Sequence, residues 1–83
     1  MDYFVYIIRS QTTLKTYVGC TNSLTERLKK HNEGLAQYTK NKGPYDLIWY
    51  CCFKNKEKAF LFEKYLKSGS GRAFSLKHLL KSL

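Results

Sequence analysis

Eighty-three residues make one domain of residues 1–83, because a chain this short buries only roughly 60 to 65% of its unfolded surface and cannot divide its core in two. Hydrophobic residues at 43% and aromatics at 16% exclude a disordered chain and suffice for a two-layer core. Fifteen Lys and Arg against six Asp and Glu give +9 and a pI of about 9.6, which points to an anionic partner, nucleic acid first.

No early segment has the order of a signal peptide, and no apolar run approaches the ~18 residues of a spanning helix. A membrane partner is therefore not expected, and the expected location is the cytoplasm. Cys20, Cys51 and Cys52 are odd in number, and neighbours on a strand point to opposite faces. They predict small half-buried side chains in a reducing compartment, with neither a disulfide framework nor a paired zinc motif.

Tyr3-Phe4-Val5-Tyr6-Ile7-Ile8 is rich in β-branched and aromatic residues and reads as a strand covered on both faces. After a polar turn, Thr16-Tyr17-Val18-Gly19-Cys20 returns as the second strand of a hairpin, with Gly19 where backbone or ligand must come close. Ser23-Leu24-Thr25-Glu26 matches a capping box, so a helix is predicted from Leu24 to Glu33, ending at Gly34. On it, Arg27 and His31 form an i,i+4 pair beside the apolar Leu24 and Leu28.

Residues 35–44 have no clean period and read as an exposed loop, in which Lys40 and Lys42 either track a phosphate backbone or are simply solvated. Lys29 and Lys30, on the short basic helix, are further candidates for nucleic-acid contact. Asp46 to Phe53 is nearly continuous in apolar character and is expected as a third strand that is central or covered on both faces. Asn55 can cap a helix over residues 56–67 whose core stripe is Ala59, Phe62, Glu63 and Leu66. Beyond Ser68-Gly69-Ser70-Gly71, residues 72–83 read as a last amphipathic helix with its stripe at Leu76, Leu79, Leu80 and Leu83. The order β-β-α-β-α-α predicts an α+β domain with a small three-stranded mixed antiparallel sheet flanked by helices.

Glu63 is the most informative residue outside the hairpin, since a carboxylate at a core-facing position must be paired, hydrogen-bonded or bound to metal. Either a lysine or Arg27 neutralises it, or it is a ligand for a divalent ion. Arg27 offers a planar fork suited to phosphate, and His31 titrates near neutrality.

Taken together, these pieces resemble the GIY-YIG nuclease superfamily, in its small stand-alone branch. They are Tyr3-Phe4-Val5-Tyr6-Ile7, Tyr17-Val18-Gly19-Cys20-Thr21-Asn22, Arg27 through His31-Asn32 to Gly34, and Glu63-Lys64-Tyr65-Leu66-Lys67. The resemblance implies hydrolysis of a DNA phosphodiester in repair or recombination. It implies one divalent ion, usually magnesium with manganese able to substitute, held by Glu63. Tyr17 would activate the attacking water, Tyr6 support it, Arg27 steady the phosphate and His31 assist proton transfer, with Gly19 structural at the site. A metal and an arginine both act where negative charge develops, and a phenol needs nearby positive charge to serve as a base at neutral pH.

Phe4 stands at the superfamily's first motif glycine, Val18 replaces an isoleucine and Cys20 stands where repair-type members often carry lysine. A late asparagine of many members has no evident counterpart, with Ser68 or Ser70 as substitutes or the role absent. The alternative is therefore a nucleic-acid-binding module of the same fold, weak or silent in catalysis. In so small a chain, specificity is expected from DNA shape or from a protein partner.

Overall fold

The computed structural model describes residues 2–34 and 42–80. Strand β1 (Tyr3–Ser10) is the middle of a three-stranded sheet, paired antiparallel with β2 (Thr16–Thr21) on one side and with β3 (Tyr45–Phe53) on the other. Both ladders are antiparallel, so no mixed pairing occurs among the described residues. Four successive residues of β1, Val5 through Ile8, are buried, as two-sided cover requires.

The expectation of a central third strand is corrected: β3 is an edge strand. Its apolar run misleads because Tyr50 and Cys52 are exposed, and Tyr50 is sheltered only by an edge contact with Phe4. A register shift between Ile7 and Ile8 further bends this ladder.

Helix α1 (Leu24–Asn32) covers one face of the sheet, packing Leu24 and Leu28 against Tyr6, Ile8 and Tyr45. The predicted capping box does not form, since the Ser23 side chain makes no cap bond. Thr21 does that local work instead: its hydroxyl accepts the Ser23 N–H at 3.1 Å and donates to the Ser23 carbonyl at 3.2 Å. At the other end Gly34, at φ 74°, takes the left-handed conformation that closes a helix, and its N–H donates to the His31 carbonyl.

The opposite face is covered by α2 (Lys56–Lys67), which has the predicted bounds and the predicted cap, the Asn55 side chain accepting the Lys58 N–H at 3.0 Å. Ala59 and Leu66 are fully buried against Val5, with Phe62 packed beside them. Helix α3 (Gly69–Phe74) begins earlier than residue 72 and runs into a π-helical turn, Ser75–Leu79. One hydroxyl explains the early start. Ser68 donates to the Tyr65 carbonyl at the end of α2 and accepts the Gly71 N–H at the start of α3.

Gly71 then lies against the Tyr65 carbonyl and the Leu66 backbone, a crossing that a Cβ would block. This docking turns Gly71, Phe74, Ser75 and Leu79 toward the core. The predicted stripe is corrected accordingly: Leu76 is exposed, Leu79 and Leu80 are half-buried, and Leu83 lies outside the described residues.

Candidate functional site

Tyr6 sits directly across from Gly19 in the β1–β2 register. Both side-chain positions face α1, and a Cβ on Gly19 would overlap the phenol end of the Tyr6 ring. The glycine is therefore required for the tyrosine to lie flat over β2, which is the close approach its place in the strand suggested.

The α1 spacing brings Arg27 and His31 onto that ring. Tyr6 Oη lies 2.9 Å from His31 Nε2, and Arg27 Nε–H donates to the same oxygen at 3.3 Å. The phenol oxygen is thus shared between the Arg27 donor and the imidazole, and the His31 tautomer sets which of Tyr6 and His31 donates. His31 is 1% exposed and ringed by aromatics, its centroid 5.9 Å from Tyr6, 5.3 Å from Tyr17 and 6.0 Å from Tyr45.

Burial holds the His31 pKa below its ordinary 6.5, and the Arg27 charge lowers it further. Burial pushes the Tyr6 phenol up, opposed by the bond and charge of Arg27, while that same bond keeps the Arg27 guanidinium fully charged. The set at neutral pH is thus a neutral imidazole, a neutral phenol and a cation.

Glu63 arrives from the other layer. Helix α2 packs along β1 and β2, and Glu63, with its side chain 19% exposed, contributes to the field at Tyr6, Arg27 and the half-buried thiol of Cys20. Its carboxylate is met by Lys67 Nζ at 2.9 Å, one turn further along α2. Lys67 in turn lies 5.7 Å from the centroid of the Tyr17 ring, so it links the carboxylate to the second tyrosine.

Among the described residues no group of three His, Cys, Asp or Glu side chains could hold a metal by themselves. A single half-buried carboxylate suits a hard cation that keeps its waters and shares phosphate oxygens with a substrate, as magnesium commonly does, and does not suit a metal caged by protein alone.

Tyr6, Tyr17, Arg27 and His31 are thus brought together with Gly19 beneath them, and Glu63 approaches through Lys67. Lys29 and Lys30 are exposed on α1, Lys29 near Glu33 at 3.8 Å. Lys42 is exposed too, its carbonyl accepting from the Ser10 and Thr12 hydroxyls, and Lys40 lies outside the described residues. Of the serines considered for the late asparagine, Ser68 is committed to the backbone as described, and Ser70 is exposed.

Three residues of this site were given no role from the sequence, although Asn32 and Lys67 stand inside the motif segments quoted for the resemblance. Asn32 clamps the end of α1 to the start of β3, its Oδ1 accepting the Tyr45 N–H at 2.6 Å and its Nδ2 donating to the Tyr45 carbonyl at 3.4 Å. Tyr45 stacks obliquely on His31 from that position. Asn32 stands in the motif segment beside His31, but nothing in the local pattern pairs it with Tyr45, since the two are thirteen residues apart in sequence. Lys67 was legible, because a Glu followed by Lys at i+4 is a favoured helix pair.

A family model described as the GIY-YIG catalytic domain matches residues 2–77. The UPF0213 protein CPE1444 of Clostridium perfringens is 40% identical over 65 residues, covering 77% of this chain and 69% of its own. For the UPF0213 protein YazA of Bacillus subtilis the figures are 37% over 67 residues, 80% and 67%. The solution NMR structure of the UPF0213 protein BH0048 from Bacillus halodurans superposes with a TM-score of 0.60 at 34% identity, covering 98% of this chain and 86% of that one. With the family model matched over residues 2–77, relatives at 37–40% identity and a solved structure of the same fold, the chain belongs to the GIY-YIG family.

Proposed function

We propose that the protein is a divalent-metal-dependent DNA endonuclease. The observation that carries this reading is the hydrogen-bonded set of Tyr6, His31 and Arg27 seated over Gly19, which uses buried space for polar groups where an apolar core would be cheaper. A magnesium ion bound at Glu63 would supply charge for the phosphate oxygens as negative charge builds.

The chain's own residues then divide the remaining work. Arg27, anchored through Nε, presents the terminal nitrogens of its guanidinium to a phosphate. Tyr17 takes the proton of the attacking water, with the Lys67 ammonium standing 5.7 Å from its ring centroid. Water oxygen bonds to phosphorus as the bond to the leaving oxygen breaks, and the proton that Tyr17 takes from the water balances the one that the leaving oxygen gains. Neutral His31 holds the Tyr6 hydroxyl in place and accepts a proton through it. Exposed Lys29, Lys30 and Lys42 add non-specific attraction for the DNA backbone. Specificity comes from DNA shape or a protein partner, the setting is repair or recombination, and three free cysteines fit a reducing cytoplasm.

The test is nicking of branched, flapped and plasmid DNA with magnesium or manganese. Glu63→Ala and Tyr17→Phe should each lower the rate by about 100-fold or more while leaving the melting temperature nearly unchanged. Rates untouched by both substitutions overturn the assignment.

A second reading, a module that binds nucleic acid without cutting it, is favoured by the ion pair of Lys67 on Glu63, which occupies the carboxylate a metal would need. Salt-sensitive DNA binding that survives Glu63→Ala, with no cleavage of any substrate by the wild type, selects this reading.

A further inference from the structure

Beside the tyrosine site, between the turn of the β1–β2 hairpin and the packed pair α2–α3, lies an open groove of about 830 Å³. Tyr17 and Lys67 stand where it meets the candidate site, and Lys15 and Arg72 add two more cations. Among the described residues no carboxylate lines it. Apart from Thr16 and Ser75 its remaining walls are apolar, and two of their members are conspicuous. Leu14 and Leu76 are 65% and 66% exposed, and Leu14 has φ 64°, a left-handed conformation that a leucine adopts only at a conformational cost.

Ser75 also lines the groove. It is 5% exposed, and its hydroxyl is a buried polar group with no hydrogen-bond partner among the described residues. Such a group is rare in a folded protein and is satisfied when a ligand supplies the partner.

We propose that this groove holds an unpaired DNA strand running on from the scissile phosphate, an inference that rests on the nuclease reading for its direction but not for its chemistry. Continuity argues for it, because Tyr17 belongs to both the groove and the site. Charge complementarity argues for an anionic occupant. The apolar walls choose between a duplex and a single strand: a duplex presents mainly sugar and phosphate to a shallow surface, whereas an unpaired strand offers base faces for Leu14 and Leu76 to cover. Lys15 and Arg72 take the phosphates, and Ser75 contributes the one buried hydroxyl.

The experiment compares two fluorescein-labelled DNAs of equal paired length, one blunt and one with a single-stranded flap, by anisotropy in EDTA, so that cleavage is not needed. Wild type should bind the flap at least several-fold more tightly. The double variant Lys15→Ala/Arg72→Ala should weaken flap binding by about 10-fold or more and flatten its salt dependence by about one to two units of slope, with the blunt duplex changed by less than about 2-fold.

Two single variants separate binding from folding. Leu14→Asn relieves the left-handed leucine, and Ser75→Ala removes an unpartnered hydroxyl. Both should melt at or above the wild-type temperature yet bind the flap several-fold more weakly. Equal affinity of the wild type for both DNAs, equal losses on both in the double variant, or single variants that leave flap binding unchanged overturn the proposal. A wild type that cuts nothing but shows the predicted flap preference keeps the groove and removes the nuclease reading.

Discussion

The two faces of β1 are built for different ends. On the α2 side Val5 meets Ala59 and Leu66 in an apolar core with Phe62 and Phe53 around it. Across the same strand Tyr6 meets His31 and Arg27, and two of those three are as fully buried as the core on the other side. Alternation along a single strand is enough to separate stability from chemistry: side chains one residue apart serve opposite layers. Burial alone therefore does not identify a core residue here, and the contrast is sharpest where it can be broken one face at a time.

The largest effect belongs to the apolar face. Leu66→Ala should cost about 2–5 kcal/mol, since the side chain is fully buried and Gly71 pins the backbone around it against collapse. Denaturant melts measure this, and the fraction that remains folded should retain its activity.

Tyr6→Phe is the matching cut on the polar face. The ring stays, but His31 and Arg27 lose their shared oxygen, so stability should fall by about 1–3 kcal/mol. Nuclease rate per folded molecule should fall by about 100-fold, measured as initial rates beside the melt. A loss of stability without a loss of rate would make the network structural only.

Smallest is the pH effect, which also belongs to the polar face alone. The folded pKa of His31 lies below its unfolded value of 6.5 because burial and Arg27 disfavour the imidazolium. Below 6.5 the unfolded chain binds more protons at this position than the folded one, so stability is complete above pH 6.5 and declines as the pH drops toward the folded value. Melts between pH 5 and 8 should show the decline in wild type and lose much of it in His31→Gln, while Leu66→Ala keeps it.

Much of this was legible along the chain. Helix α2 has its predicted bounds because its signals are local: an Asn cap, a 3.6-residue apolar period and a Ser-Gly stop. The i,i+4 step from Arg27 to His31, the glycine after Tyr17-Val18 and the carboxylate on the core stripe were likewise readable as candidates. Less reliable were inferences from apolar content alone, as β3 and Leu76 show, because composition does not say which strand lies in the middle or which way a helix is rolled. The capping box failed for a related reason, a neighbouring Thr21 hydroxyl having already satisfied the turn before Ser23.

By itself, then, the sequence determined the element order, the α+β class, the net positive charge and the small set of candidate site residues, since each depends on composition or on spacing within a few residues. Only the tertiary structure decided that Gly19 gives up its side chain to Tyr6, that Asn32 ties α1 to β3 beneath His31, and that Lys67 joins Glu63 to Tyr17. Those are contacts between separate elements or across the edge of the sheet. Their geometry comes from how the two layers dock on β1, and no local pattern in the chain encodes it.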